Sequence, residues 1–520
     1  MVMGEVMLTF DIGTQSLRGM LMNAQGEIEA FVQKKYEVPY YSKNPGWAEQ
    51  SPNFYYETLC EVSKELKGKS LSGFEQVIGV TVTAIRDTCL CLDEKMEPLR
   101  DIIVWPDSRE TNSDTQLSPL IKTGLKVVGM DEVLRMQHRV TKANWIMDHE
   151  PEIWKKTAKF VMLPTYINYK MTGQLKDSAA NQIAHIPFDY KNRKWQKKND
   201  IRRKVVDIPE HMLCELVNAE DIIGAITLKA SEETGIPAGL VLYATGSDKG
   251  CETLGLSVIH KHQAALSFGT TATVQFATKE YFEPKQFLPS YPAVPNDLYN
   301  PEIQIYRGYW LISWFKKEFA AKECVEALEK CCSPEEILNA RLREVPPGCE
   351  GLILQPFWTP GVVTPNAKGA IIGFCDAHSR IHVYRAIIEG IGFALMDGLY
   401  SMQKRGKQQI TEIFVAGGGA QSDEICQITA NMFGLKVKRI QTHEASGLGA
   451  SMVGFVACGK YRTYEEAIHN MVRVSSVFEP DMEEYEIYQE LYHSIYKKIY
   501  GRLLPLYKKI KTITRRKENE

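Results

Sequence analysis

Several familiar signals are missing from this 520-residue sequence. Its 12 cysteines form no C-x-x-C pair, which excludes a zinc knuckle and a thioredoxin-like redox site of that spacing. Its beginning lacks the basic segment of a secretory signal, and no apolar run approaches the ~18 residues of a membrane span. We therefore expect reduced thiols and a cytoplasmic protein.

An excess of charge of either sign is also missing. Lys and Arg total 62 and Asp and Glu total 64, so the net charge is −2, whereas nucleic-acid binders usually carry a basic surplus. Residues 497–517 are a local exception, with nine basic residues and apolar residues at helical spacing. Such a segment could bind a membrane surface or a nucleic acid. The near-neutral net charge of the whole chain favours a terminal helix with a solvated face. We therefore expect neither nucleic acid nor membrane as a partner.

Short apolar runs alternate with helical patterns along the chain. Strands are predicted at residues 6–10, 19–22, 77–82, 240–244, 264–268 and 413–415. Helices are predicted at residues 53–66, 309–321, 384–402 and 423–433. Interleaved strands and helices indicate layers of the α/β class.

Two segments about half the chain apart share one pattern. Residues 8–28 and 264–282 each contain an apolar strand, a Gly-Thr turn with further hydroxyl residues, and a second apolar strand. The first ends in Asn-Ala-Gln-Gly at 23–26, which is typical of a hairpin turn. The pattern favours two related lobes, the first ending near Thr245. The alternative is coincidence, since Gly-Thr turns are common.

The first of these turns carries residue types that bind phosphate. A predicted strand leads into Asp11, then Gly13, then Thr14, Gln15 and Ser16. Glycine lets backbone N–H groups approach an anion, and the hydroxyl and amide side chains add donors. Asp11 is suited to hold a phosphate-bound Mg²⁺ through water. The spacing of a Walker loop is absent here, and the structural alternative is a tight hairpin with a solvated aspartate.

Gly269 and Thr270 offer the same chemistry after the strand predicted at 264–268. Two such loops facing each other would clamp a triphosphate. The strand predicted at 240–244 leads to Asp248, which lies between glycines. A carboxylate just past a strand end suits a general base, while the competing interpretation is an N-cap of the following helix.

A glycine triplet follows the strand predicted at 413–415. Gly417 and Gly418 would let the backbone pack against a flat ligand such as a nucleoside, and a helix starting near Ser422 would offer its N-terminus. A close strand–helix turn is the structural alternative. Residues 447–457 form a helix of small residues that could pack closely under the triplet.

Taken in order, these segments resemble the FGGY carbohydrate kinases, a branch of the actin-like ATPase superfamily. The motifs run from about residue 8 to about residue 460 and are D-x-G-T-x-S-x-R at 11–18, P-G-W-A-E-Q at 45–50, V-W-P-D-S-R at 104–109, G-S-D at 246–248, S-F-G-T-T at 267–271, A-G-G-G-A-x-S at 416–422 and E-A-S-G-L-G-A at 444–450. Each motif is modest by itself, whereas seven in family order are specific.

The resemblance implies two actin-like, ribonuclease H-like α/β lobes with ATP and sugar in the cleft between them. We divide the chain into an N-terminal FGGY lobe (1–245), a C-terminal FGGY lobe (246–475) and a basic helical tail (476–520). The implied reaction is ATP-dependent phosphorylation of a hydroxyl on a small sugar or polyol, with Mg²⁺ as cofactor and a homodimer as one option for assembly.

The resemblance also assigns roles to single residues. Asp248 matches the catalytic aspartate. The nucleotide-binding positions are those of the first phosphate motif, the second phosphate motif and the adenosine motif: Asp11 (the metal ligand), Thr14, Gln15 and Ser16; Gly269 and Thr270; Gly417, Gly418 and Ser422.

Sugar contacts are predicted at Trp47, Arg86 and Asp87. A tryptophan can stack on a sugar, although a core tryptophan is the common alternative. Arg86-Asp87 stands where xylulose kinases have Met-His-Gly, and this pair is more similar to glycerol and autoinducer-2 kinases. A surface ion pair is the alternative. The segment around Asp177 and Asn181 departs from the family pattern, which weakens the case for substrate contacts there.

Two other functions stay open at this point. A catalytically inactive actin-like regulator is one, although the intact Asp11 and Asp248 argue against it. A chaperone-like ATPase is the other, and it would need a separate peptide-binding domain. The residues after Lys460 are too few and too helical for such a domain.

Overall fold

The computed structural model describes residues 5–113, 131–286, 288–361 and 364–515. The chain divides into two compact units. Unit 1 comprises Met1–Gly255, Tyr291–Leu298 and Ala445–Val472; unit 2 comprises Leu256–Ser290, Tyr299–Glu444 and Arg473–Glu520. The lobe and tail limits given above stay a prediction, and Arg516 and Lys517 of the basic stretch lie outside the described residues.

The strands confirm the α/β prediction. In chain order they are β1 (Val6–Ile12), β2 (Ser16–Asn23), β3 (Ile28–Lys35), β4 (Glu49–Gln50), β5 (Val77–Ala84), β6 (Cys89–Leu92), β7 (Ile102–Ile103), β8 (Lys159–Met162), β9 (Lys176–Ser178), β10 (Phe188–Asp189), β11 (Lys194–Trp195), β12 (Glu215–Val217), β13 (Ile222–Ala225), β14 (Val241–Tyr243), β15 (Gln263–Phe268), β16 (Ala272–Phe276), β17 (Tyr291–Pro292), β18 (Tyr299–Asn300), β19 (Glu302–Ile305), β20 (Ile353–Gln355), β21 (Ala370–Ile372), β22 (Glu412–Ala416), β23 (Lys436–Ile440) and β24 (Val474–Phe478).

The helices include every one that the sequence predicts. In chain order they are α1 (Pro52–Lys69), α2 (Leu71–Phe74), α3 (Asp131–Val140), α4 (Lys142–His149), α5 (Pro151–Lys156), α6 (Leu163–Thr172), α7 (Leu228–Thr234), α8 (Asp248–Gly255), α9 (Trp310–Phe319), α10 (Ala321–Lys330), α11 (Pro334–Ala340), α12 (Arg380–Gly406), α13 (Asp423–Phe433), α14 (Ala445–Ala457), α15 (Tyr464–Met471), α16 (Met482–Leu491) and α17 (Lys497–Arg515). Predicted and observed ends differ by a few residues.

Unit 1 is built on a mixed sheet with strand order β13-β14-β5-β1-β2-β3. β1 pairs antiparallel with β2 and parallel with β5, and β5 pairs parallel with β14. β1 is buried along its whole length, so its apolar residues form the centre of this core. Because β1, β5 and β14 are parallel, their carboxyl ends lie at the same edge of the sheet. The candidate catalytic residues of unit 1 lie at or just after these carboxyl ends.

Unit 2 contains a sheet with the same pattern of parallel and antiparallel pairs. Its sheet has the order β24-β23-β22-β15-β16-β19, in which β15 pairs antiparallel with β16 and parallel with β22. β23 pairs parallel with β22 and antiparallel with β24, as β14 does with β5 and β13. Strand orientation thus matches across both sheets, and chain order matches for the four strands β5-β1-β2-β3 and β22-β15-β16-β19. The outer strands differ in chain order, because β13 precedes β14 whereas β24 follows β23. The shared topology supports two related lobes and makes coincidence a poor explanation of the repeated Gly-Thr turn.

The small-residue helix α14 packs closely against another helix, α8. α14 belongs to unit 1, where a Cβ at Gly449 would overlap the carbonyl oxygen of Cys251 on α8. Glycine at this contact lets the two helix backbones approach each other. The contact of α14 with the glycine triplet stays a prediction.

Two further expectations concern the whole chain. All twelve cysteines are free thiols, as expected. In the part of the chain that the structure describes, every helix is too short or too polar to cross a bilayer.

Candidate active site

The β1–β2 hairpin places a carboxylate at the carboxyl end of β1. Asp11 lies opposite Arg18 in the register, and Arg18 Nη1 donates to Asp11 Oδ2 over 3.0 Å. The Gly13 amide donates to the Ser16 carbonyl at 3.0 Å, which closes a tight turn. Asp11 is only 5% exposed, so the solvated aspartate of the alternative interpretation is not what the structure contains.

The hydroxyls of this hairpin are oriented by neighbouring side chains. Trp105 Nε1 donates to Thr14 Oγ1 at 2.8 Å, and Gln33 Nε2 donates to Ser16 Oγ at 3.2 Å. A hydroxyl that accepts one hydrogen bond can still donate its own hydrogen. The hydroxyls of Thr14 and Ser16 can therefore each donate a hydrogen bond to an anion. The Gln15 side chain is exposed.

Asp248 is the first residue of α8, and the helix is capped by its neighbour. Ser247 Oγ accepts from the Gly250 amide at 3.3 Å, which is the hydrogen bond of an N-cap. The interpretation of Asp248 itself as the cap is therefore wrong. The Asp248 carboxylate accepts from the Lys249 amide at 2.9 Å and keeps 24% of its side chain exposed.

The surroundings of Asp248 raise its pKa and so make its carboxyl group a weaker acid. Burial raises the pKa of Asp248, and the positive charges of Arg86 and Lys249 oppose this rise. Arg86 Nε lies 3.8 Å from Asp248 Oδ1. The Arg86 guanidinium also lies 5.5 Å from the centroid of the Tyr291 ring, a cation–π distance. Arg86 and Asp248 are thus brought together within unit 1.

Asp87 forms a second charged pair beside Arg86. Its carboxylate lies 2.8 Å from Lys142 Nζ and 3.6 Å from His185 Nδ1. Burial alone would raise the pKa of Asp87, but the Lys142 charge and the His185 hydrogen bond lower it below its usual range. Asp87 adopts φ +48°, a left-handed conformation that aspartate tolerates better than most residues. The pair is part-buried, so a simple surface ion pair does not describe it.

Trp47 lies in a cluster of aromatic and charged side chains. The Arg109 guanidinium lies 3.9 Å from the centroid of the Trp47 ring, and Trp145 meets that ring edge to face at 5.2 Å. Glu49 is 1% exposed and accepts from Arg100 at 2.6 Å and from Arg109 at 3.0 Å. Arg109 occupies one face of the Trp47 ring, and the sugar contact of Trp47 stays a prediction.

Asp177 is completely buried. Four donors converge on its carboxylate at 2.7 to 3.0 Å: Thr165 Oγ1, the Ser178 amide, Asn181 Nδ2 and Gln182 Nε2. The segment held in this way supports both charged pairs, because the Ile183 carbonyl accepts from the Asp87 amide and the Ala180 carbonyl accepts from the Ser247 amide. Asp177 thus has the contacts of a structural support for the loops that carry Asp87 and Asp248.

We expect Asp177→Asn to remove part of the pH dependence of stability. Burial outweighs the four hydrogen bonds and raises the pKa of Asp177 from 3.8 to about 6. The native state then binds this proton more tightly than the unfolded state, so the wild-type free energy of unfolding falls as pH rises from about 3.8 to about 6. Urea denaturation should show the wild-type advantage over the variant shrinking by on the order of 1 kcal/mol between pH 5 and pH 7.

The exposed Asp376 supplies the control for this measurement. Asp376→Asn should leave the difference between pH 5 and pH 7 as it is in the wild type. Equal pH dependence in the wild type and in Asp177→Asn would contradict the raised pKa.

In unit 2, the β15–β16 turn and the glycine triplet adjoin each other. β15 and β22 run parallel, with Ser267 beside Ala416. Gly417 has φ +88°, and a Cβ there would lie 2.8 Å from the Phe268 carbonyl carbon and 3.0 Å from the Gly269 nitrogen. Only glycine combines this conformation with this close approach. The second phosphate loop and the adenosine motif are therefore neighbours in one unit.

The remaining candidate residues of unit 2 differ in the contacts that they make within the protein. Gly269 and Thr270 accept through their carbonyls from the Tyr309 and Trp310 amides, at 3.1 and 3.5 Å. Among the residues that the structure describes, a Cβ at Gly418 would meet no heavy atom within 4 Å, which leaves that surface open to a ligand. Ser422 caps α13 by accepting from the Ile425 amide at 3.3 Å, so the helix start predicted there is confirmed. Its contact with a nucleotide stays a prediction.

Comparisons with known proteins can now be set beside this geometry. The model of the N-terminal domain of the FGGY family of carbohydrate kinases matches residues 6–255, and the model of the C-terminal domain matches residues 264–458. The chain belongs to the FGGY family of carbohydrate kinases. It is accordingly a phosphotransferase that acts on a sugar.

The relatives of this FGGY kinase match along nearly its whole length. It is 27% identical to the xylulose kinase of Staphylococcus epidermidis, over 98% of this chain and 99% of the relative. The solved xylulose kinase of Lactobacillus acidophilus has a TM-score of 0.82 at 21% identity, covering 97% and 100% of the two chains. The gluconate kinase of the same organism has the same TM-score and identity, covering 97% and 99%. These structures show the expected two-domain fold. The comparisons do not favour the inactive regulator, nor a glycerol-type or autoinducer-2-type kinase.

Sequence reasoning missed several residues around this site. Trp105, Lys142, Lys249 and Tyr291 contact predicted site residues but lie far from them in sequence or carry no motif signal of their own. Trp105 lies within the recognised V-W-P-D-S-R segment, so that motif was the one available clue.

Proposed function

We propose that this FGGY kinase transfers the γ-phosphate of ATP to a hydroxyl of a small, uncharged sugar or polyol, with Asp248 as the general base. The observation that carries the proposal is the Asp248–Arg86 pair, a partly exposed carboxylate 3.8 Å from a guanidinium at the start of α8. A base so placed can accept the proton of a sugar hydroxyl as its oxygen attacks phosphorus. General-base catalysis contributes about 10²–10⁴-fold.

Arg86 would have two roles, one towards this base and one towards the sugar. Its charge opposes the burial that raises the pKa of Asp248, so it favours the ionised form that accepts a proton. Its guanidinium can also donate to a sugar oxygen beside the hydroxyl that reacts, while the Asp87 carboxylate can accept from another hydroxyl. Donor and acceptor together would fix the sugar in one orientation.

The balance of charge around these residues supports an uncharged acceptor. Three cations and three carboxylates lie close together: Arg86 near Asp248, Lys142 near Asp87 and Lys249 near Glu252, at 3.8, 2.8 and 3.0 Å. An aldonate would add a negative charge to a set that is already balanced, and burying an unmatched charge is costly. We therefore favour a neutral ketose or polyol over a sugar acid.

Each unit contains loops with the chemistry to bind part of a nucleotide. Thr14, Gln15 and Ser16 would donate to phosphate in unit 1, and Gly269 and Thr270 in unit 2. Gly417, Gly418 and Ser422 would adjoin the adenosine. The open surface at Gly418 and the oriented hydroxyls of Thr14 and Ser16 support these assignments.

Asp11 fits a magnesium ion that travels with the nucleotide. Mg²⁺ takes one or two carboxylates, keeps several waters and binds substrate phosphates, and Asp11 supplies one buried carboxylate beside the hydroxyl donors. The bound ion would neutralise charge on the transferring phosphoryl group. Arg18 would hold the Asp11 carboxylate in position through its 3.0 Å hydrogen bond.

A coupled assay of ADP release across neutral ketoses, polyols and aldonates tests the proposal. We expect one or more neutral substrates to stimulate ADP release strongly. An aldonate as the best substrate would contradict the charge argument. An absence of stimulation by every compound would contradict the kinase proposal as a whole.

Arg86→Ala should raise the KM for the sugar about 10- to 100-fold and leave the KM for ATP within about twofold, since one charged hydrogen-bond donor is lost from the sugar side. Loss of the nearby positive charge should also raise the pKa of Asp248 further, so the acid limb of the pH profile should move to higher pH. Steady-state kinetics with each substrate varied in turn measures both effects.

Arg202→Ala is a matched control, because Arg202 pairs with Asp200 on an exposed segment of the same unit. It should change neither KM. Equal increases in both KM values for Arg86→Ala would remove Arg86 from the sugar site.

A further inference from the structure

The last described helix exposes a row of aliphatic side chains. Leu506, Ile510 and Ile513 of α17 are 58%, 44% and 56% exposed. Their spacing of four and then three residues puts them on one face of the helix. Single exposed aliphatic residues are common, whereas a continuous apolar row marks an interaction site. We call these three residues the apolar row.

The helix is attached to unit 2 by other residues. Ile499 and Tyr507 are buried, and the Tyr507 hydroxyl donates to Gln355 Oε1 at 2.7 Å. The apolar row therefore faces solvent on a helix that is already docked. The sequence pattern alone could not distinguish this arrangement from a terminal helix whose only apolar face is buried.

Positive charge surrounds the apolar row. Residues 497–514 contain no acidic residue, in a chain whose net charge is −2. The basic side chains of this segment are all exposed: Lys497, Lys498, Arg502, Lys508, Lys509 and Lys511. A partner that covers this face must therefore supply negative charge together with an apolar phase.

A second copy of the chain does not meet this requirement. Two copies meeting through this face would bring together twelve positive charges and no negative ones from the same segment (six from each copy). A nucleic acid would satisfy the charge but would leave the aliphatic side chains against polar groups. An anionic lipid surface satisfies both, because headgroups attract lysines and acyl chains accept aliphatic side chains.

We propose that α17 is a docking surface for an anionic lipid bilayer. The helix would lie in the plane of the interface, with the apolar row among the acyl chains and the lysines at the headgroups. Either signal alone gives only weak membrane binding, whereas an apolar group together with a polybasic segment gives stable binding. This replaces the expectation of a merely solvated helix without a membrane partner. The proposal is independent of the sugar that the kinase accepts.

Flotation of the full-length protein with vesicles tests the proposal. We expect binding to phosphatidylcholine vesicles that contain phosphatidylglycerol, and little binding to phosphatidylcholine alone. Salt near 1 M, where the Debye length is about 3 Å, should release the protein. Lys508→Gln/Lys509→Gln should weaken the partition coefficient about thirty-fold at low salt, and Leu506→Gln/Ile510→Gln should weaken it about tenfold.

Matched controls lie on other exposed helical positions of unit 2. Lys317→Gln/Lys322→Gln makes the same change in net charge on α9 and α10, and Leu328→Gln replaces an aliphatic residue that is 81% exposed. Neither should change vesicle binding, and sugar-stimulated ADP release should be equal in all variants.

Several outcomes would overturn the proposal. One is no binding to anionic vesicles, including the case in which the protein instead binds nucleic acid or an acidic protein through this face. Equal binding to both kinds of vesicle is another. A third is self-association, seen by light scattering, that the Leu506→Gln/Ile510→Gln variant abolishes.

Discussion

Asp248→Asn is expected to slow sugar phosphorylation by about 10²–10⁴-fold, the range for loss of a general base. The amide has nearly the shape of the carboxylate but cannot accept the hydroxyl proton. The variant should still bind ATP, because the proposed nucleotide positions lie on other loops. The pH profile of the remaining activity should also lack the acid limb that titration of Asp248 produces in the wild type. Because burial raises the pKa of Asp248, that limb should lie at a higher pH than for an ordinary aspartate.

The measurement combines steady-state turnover with calorimetric titration of ATP. Asp423→Asn is a matched control, since Asp423 also follows a capping serine at the start of a helix but pairs with Arg439 at 2.8 Å. The control should keep wild-type turnover. Turnover above a few per cent of wild type in Asp248→Asn would refute its assignment as the base.

Arg385→Ala is expected to lower the free energy of unfolding by about 3–5 kcal/mol, the cost of leaving a buried charge without its partner. Arg385 Nε donates to Glu389 Oε1 at 2.7 Å, and Arg385 Nη2 donates to the Tyr488 hydroxyl at 2.9 Å. Its remaining nitrogen donates to the carbonyls of Leu342 and Val345 at 2.8 and 2.6 Å. All of these bonds are buried, so water cannot replace the lost donors.

Urea denaturation measures this loss, and two further variants interpret it. Arg405→Ala, on the exposed last turn of the same helix, should cost less than about 0.5 kcal/mol. Arg385→Met/Glu389→Met removes both charges and should cost clearly less than Arg385→Ala, because no unpaired carboxylate is left in the core. A double variant less stable than Arg385→Ala would show that lost packing, rather than the stranded charge, explains the effect.

The Arg385 network also explains why the chain after residue 475 is difficult to interpret from sequence. Tyr488 is completely buried and donates to Glu389 Oε1 at 2.8 Å, so α16 contributes to the core of unit 2. Nothing in the local pattern around Tyr488 identifies a partner 99 residues away. The basic residues of α17, by contrast, could be recognised in the sequence as a run. Only the structure showed that an exposed apolar row lies among them.

Asp87 shows the same limit at the candidate site. The sequence placed an Arg–acid pair after β5 but suggested that the two residues act on the sugar together. In the structure Asp87 is paired with Lys142, 55 positions away, and Arg86 is paired with Asp248. Asp248 follows β14, which lies beside β5 in the sheet, whereas Lys142 is the first residue of α4. A contact of this kind depends on strand order, which a linear motif does not contain.

By itself, the sequence determined the class of fold, the repeated hairpin, the family and the residue types available for phosphoryl transfer. These depend on local periodicity and on short motifs whose order is preserved along the chain. Tertiary structure alone decided which charges are paired, that Ser247 rather than Asp248 caps α8, and that α14 packs on α8. The physical reason is that pairing energies and pKa shifts depend on distance and burial, and both are set by residues that the fold brings together from distant parts of the chain.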